Sequence, residues 1–172
     1  MCGVVLTALL FIGLAMPVSA QTAGTWPAGD PSITRALRQA VQSSDHSYAL
    51  ALPEGARDNN SILRGLLSRG IPSPEDRDLG AAGKSLVARV DAAAKQPEYR
   101  CGLFSITAAF AFTGPSPPVI LAMSSPCGSA ILVRSRTGKP PAPTTDIEWS
   151  PQFKTDSFED FLKNLPAPGS TP

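Results

Sequence analysis

The chain has 172 residues and carries 15 Lys+Arg against 14 Asp+Glu, a formal net charge of +1. That balance supplies neither the basic footprint of a nucleic-acid partner nor an acidic surface. One histidine and three cysteines leave few groups for a zinc centre or a histidine-based catalytic site.

Residues 1–20 read as a cleavable signal peptide. Val4 to Met16 is apolar except for Thr7 and Gly13, and Val18 and Ala20 fit the small-residue positions of a cleavage site before Gln21. The run is shorter than the roughly 20 apolar residues of a spanning helix and ends at Pro17. No Lys or Arg precedes it, so only the terminal amine supplies the usual positive charge. The expected organisation is a signal peptide at 1–20, a flexible segment at 21–30, one α+β domain at 31–166 and a disordered tail at 167–172.

A first helix is expected over Pro31 to Ser43, capped by Asp30, with Ile33, Ala36, Leu37, Ala40 and Val41 on one face. Ser47 to Leu52 reads as a strand, closed by Pro53-Glu54-Gly55. Asn60 can cap a short helix ending near Arg69, with Ile62, Leu63, Leu66 and Leu67 as its apolar stripe. Ser73-Pro74-Glu75-Asp76 resembles a further helix start, running to about Lys95. Gly80 and Gly83 weaken its first half by about 1 kcal/mol each, so its first turns can instead be loop.

From Tyr99 the period changes to alternation. Phe104, Ile106, Ala108, Phe110 and Phe112 would share one face of an extended strand. Gly114 to Pro118 forces a reversal, Val119 to Ser124 returns, Ser125 to Gly128 suits a type I turn, and Ala130 to Arg136 is the third strand of the meander. Gly138 to Pro143 is a proline-rich loop, and Asp146 to Trp149 offers a fourth strand. A last short helix is expected from Ser157 to Leu165, capped by Asp156 with Glu159 completing the box. The fold class is therefore α+β: N-terminal helices, an antiparallel β-meander of three to five strands, and a short C-terminal helix.

Cys101 and Cys127 form the even pair of an exported chain and read as a disulfide. A reversal centred near Ser116 places Cys101 opposite the region just after Cys127, so a bridge would close the open end of the hairpin. The chain-entropy model assigns such a bridge roughly 3.5 kcal/mol.

The chemical motifs are few. Gly83-Lys84-Ser85 ends like a phosphate-binding loop, but Asp78 stands where the motif requires glycine. His46 reads as a polar residue in the loop before a strand. Asn59-Asn60-Ser61 is a glycosylation sequon that matters only in a eukaryotic secretory pathway. Asp146 and Glu148 would share one face of a strand beside Trp149, the best available pair of carboxylates for polysaccharide hydrolysis. Arg134, Arg136, Lys139 and Trp149 are the candidate partner-binding residues.

These observations lead to an expected function without an assigned catalytic residue, metal or cofactor. The chain reads as a small exported, disulfide-stapled binding or inhibitory protein of the bacterial envelope or extracellular space. Its partner would be another protein, with no nucleic acid and no stable membrane span after processing. The alternatives are a carbohydrate-active hydrolase using Asp146 and Glu148, or a structural envelope-assembly factor.

Overall fold

The computed structural model describes residues 31–56, 58–96, 98–137, 146–156 and 158–165. The expected signal peptide, the segment 21–30 with Trp26 and Asp30, the proline-rich loop with Lys139, and the tail 167–172 lie outside the described residues. No helix among the described residues is long and apolar enough to cross a membrane.

The elements in chain order are α1 (Pro31–Gln42), β1 (His46–Ala49), α2 (Asn59–Ser68), β2 (Arg77–Asp78), α3 (Ala81–Ala93), β3 (Ala108–Thr113), β4 (Val119–Ser124), β5 (Ser129–Ser135), β6 (Ile147–Trp149), β7 (Phe153–Lys154) and α4 (Glu159–Lys163). The strands form one antiparallel sheet in the order β2-β1-β3-β4-β5-β6, with β7 also pairing to β5. The α+β class holds. The sheet is larger than the expected meander, because β1 and β2 join its β3 edge from among the helices.

The hairpin register follows the proline-rich reversal: Phe110 faces Leu121 and Phe112 faces Val119. Each strand then divides its side chains between two faces. Phe110, Phe112, Val119, Leu121, Met123, Ala130 and Leu132 pack with Leu37 and Val41 of α1, Leu86 and Val90 of α3, and Phe158 and Phe161. The other face carries Ala109, Ala111, Ile120, Ala122, Ile131 and Val133, covered by Leu63 and Leu66 of α2. Helices therefore cover both faces, which explains why β4 is buried at every position.

The alternation expected from Phe104 to Phe112 breaks. The strand starts only at Ala108, and Phe104 and Ile106 pack on the α2 side while Phe110 and Phe112 face α1 and α3. Asn59 causes the break. Its Nδ2 donates to the Phe104 carbonyl at 2.7 Å and its Oδ1 accepts from the Ile106 amide at 2.9 Å. One side-chain amide thus satisfies the backbone that a strand ladder would otherwise satisfy.

Three helix starts also differ from expectation. α2 is capped by Asp58 rather than Asn60, its Oδ1 accepting from the Ser61 amide at 2.9 Å. The bonds from the Ser61 hydroxyl and amide hold the Asp58 carboxyl below its ordinary range. α3 begins at Ala81, after a loop and β2, because Gly80 takes φ +48° at its N-cap. Gly83 sits where an added Cβ would lie 2.8 Å from Ser47 Cβ, so this glycine lets α3 settle directly on β1. The Gly83-Lys84-Ser85 sequence is thereby a packing device. α4 opens at Phe158 with no side-chain cap bond, in place of the expected Asp156 cap.

The sulfurs of Cys101 and Cys127 are bonded, with their Cα atoms 5.8 Å apart. Cys127 lies in the expected turn, where the Gly128 amide donates to the Ser125 carbonyl at 3.1 Å. Cys101→Ser is expected to lower stability by about 2–4 kcal/mol without changing the fold class. Chemical denaturation of mutant and wild type checks this; coincident midpoints would show that the bridge adds nothing to stability.

Candidate functional site

The disulfide ends a segment that is fixed to the sheet from several directions. The Gln152 side chain accepts from the Cys101 amide through Oε1 at 3.0 Å and donates to the Cys101 carbonyl through Nε2 at 3.4 Å. The Tyr99 amide donates to the Gln152 carbonyl at 2.9 Å, and Lys154 Nζ stands 5.4 Å above the Tyr99 ring. On the other side Phe104 and Ile106 are buried and held by Asn59. Between these anchors the chain turns through Gly102 and Leu103. Leu103 is 74% exposed, the one large hydrophobic residue so exposed among the described residues. Rigid anchors around an exposed apolar side chain lower the ordering cost of a contact made there.

The expected partner-binding residues separate. Arg134 and Glu148 are directly opposed across β5 and β6, and Arg134 Nε and Nη2 donate to Glu148 Oε2 at 3.0 and 2.6 Å. Arg136 Nε lies 3.6 Å from Glu148 Oε1 and its side chain is 60% exposed. Trp149 projects to the opposite face, where it packs beside Ile147 and Val133 on the α2 side. Lys139 is outside the described residues. Arg136 is therefore the exposed cation of this group.

The same ion pairs bear on Glu148 as a hydrolytic group. Both of its oxygens face guanidinium groups, and its side chain is only 17% exposed. Oε2 is bonded to Arg134, whereas Oε1 stands beyond hydrogen-bond distance of Arg136. Asp146, just before β6, accepts the Arg136 amide through its backbone carbonyl at 2.7 Å.

His46 opens β1 at the sheet's β2 side. Its Nδ1 lies 3.9 Å from Asp78 Oδ2, both side chains are more than half exposed, and its ring stacks on Tyr48. A shallow cavity of about 140 Å³ lies here, with Ser47 and Lys84 also on its wall. His46 and Ser47 are consecutive on a strand, so they point to opposite faces and do not form a nucleophile–base pair. Among the described residues, no group of three His, Cys, Asp or Glu is placed to hold a metal ion.

Reasoning from sequence missed Leu103, Asn59 and Gln152. Leu103 read as one position in an alternating strand, and Asn59 as the first residue of a sequon. Gln152 carried no signal at all, since its role depends on two distant segments meeting. No family model, curated protein or solved structure matches the chain.

Proposed function

We propose that this chain is a small exported binding or inhibitory protein of the bacterial envelope or extracellular space, and that the stapled segment around Leu103 meets its protein partner. The observation that carries the reading is Leu103 itself, 74% exposed between a disulfide on one side and the Asn59 clasp on the other. A lone exposed leucine is ordinary on a protein surface. One held on both sides by covalent and hydrogen-bonded anchors is pre-organised for an apolar pocket on another protein. Export rests on the apolar leader at 1–20, and the disulfide is compatible with an oxidising compartment.

The test is affinity capture from envelope and culture-supernatant fractions with the mature, disulfide-intact chain. Leu103→Asp is expected to reduce recovery of the specific partner at least about tenfold, because it puts a charge into an apolar contact. Arg136→Glu, past the end of β5 opposite to Cys127, should leave recovery unchanged. The reverse pattern would move the interface to the β5–β6 edge, and equal recovery with both variants would remove the loop from consideration.

A further inference from the structure

An open cavity lies between α1, the end of α3 and the β6–β7 connection. Its volume is about 310 Å³, at the lower end of the range for small-molecule pockets. α1 contributes Arg35 and Arg38, the end of α3 contributes Ala94 and Lys95, and the β6–β7 connection contributes Pro151, Gln152 and Phe153. Ala94, Pro151 and Phe153 make an apolar wall. Arg35, Arg38 and Lys95 are the cavity's cations.

Those cations exceed their counter-charges. Asp91 alone holds two of them: Oδ1 accepts from Arg38 Nε and Nη2 at 3.0 and 2.6 Å, and Oδ2 accepts from Lys95 Nζ at 2.6 Å. The Lys95 bond first, and then Arg38, hold the Asp91 carboxyl below its ordinary range against the opposing effect of burial. Glu98, also on the wall, is paired with Arg100 at 3.1 Å. Arg35 is exposed and has no anionic partner among the described residues. The C-terminal end of the α3 dipole opposes an anion here, and Lys95 stands at that end and offsets it. The walls are already fixed, Arg38 and Lys95 by Asp91 and Gln152 by Cys101.

We propose that this cavity binds a small organic anion, its acidic headgroup against Arg35, Arg38 and Lys95 and its apolar body against Ala94, Pro151 and Phe153. The site stands independently of the Leu103 reading. Amide NMR titration of the mature, disulfide-intact chain tests it, with phenylacetate and phenyl phosphate as probes and acetate as the control lacking an apolar body. The expected result is saturable shifts at Arg35, Gln96 and Gln152 with at least one aromatic anion. Arg35→Ala should weaken that binding about tenfold. The tighter of the two probes identifies the headgroup as carboxylate or phosphate. Leu103→Asp should titrate as wild type, which separates this site from the proposed partner loop. Absence of saturable shifts with either probe would overturn the proposal. So would equal affinity for acetate, which would reduce the effect to charge alone, or wild-type affinity in Arg35→Ala.

Discussion

Phe158→Ala is expected to lower the free energy of unfolding by about 3–5 kcal/mol, the usual cost of emptying a buried phenylalanine site. Phe158 is 0% exposed and belongs to the core shared by α1, α3 and the sheet. α4 has five residues, Glu159–Lys163, too few to persist in water without tertiary support. Its attachment is therefore the pair Phe158 and Phe161, the latter packed edge-on to Phe110 with ring centroids 6.2 Å apart. Removing the more deeply buried anchor leaves a cavity in the main core and releases the closing helix together. Asp160→Ala, on the exposed side of the same helix, should leave the urea midpoint nearly unchanged. If Phe158→Ala melts at the wild-type midpoint, α4 is not part of the cooperative core. The segment would then be free to serve as a partner-binding element.

Local patterns made some of this fold readable. The proline-rich reversal set the β3–β4 register, and that register brought Cys101 near Cys127 before any distance was known. β4 spans Val119–Ser124 as read, because turns bound it on both sides. Several of the misreadings arise where a side chain takes over the backbone's bonds. Asn59 on α2 satisfies the backbone at Phe104 and Ile106, so alternation fails there even though the residue types favour a strand. Ser73 to Asp76 has the residues of a helix start, but Asp76 turns inward instead. The candidate site shows the same limit. Arg134 and Arg136 read together as partner-binding residues because nothing near them in the chain shows that Glu148 stands opposite Arg134 on β6. Leu103 becomes distinctive only once its neighbours are seen to be clamped.

The inward turn of Asp76 carries the second large effect. Its side chain is 0% exposed. Oδ1 accepts from Arg69 Nη2 at 2.5 Å and from the Ala51 amide at 3.1 Å, and Oδ2 accepts from the Ser73 amide at 2.8 Å. One carboxylate therefore ties together the end of α2, the turn before β2 and the chain leaving β1. Arg69 Nε and the Ser73 hydroxyl are also buried, with no hydrogen-bond partner among the described residues. Asp76→Ala would strand two backbone donors and leave the partly buried Arg69 without its counter-ion. Breaking one side of a buried pair typically costs about 3–5 kcal/mol, and that is the loss expected here. Asp76→Asn keeps one acceptor oxygen and should fall between Ala and wild type. Glu75→Ala, at the exposed neighbouring position, should be nearly neutral. The loss should appear as a lower midpoint of a single urea transition, because Ala51 and Arg69 tie the latch to both β1 and α2. An early local transition, with the main midpoint preserved, would show that residues 69–78 open independently of the sheet. Equal midpoints for Asp76→Ala and Glu75→Ala would show that the buried carboxylate contributes no net stability.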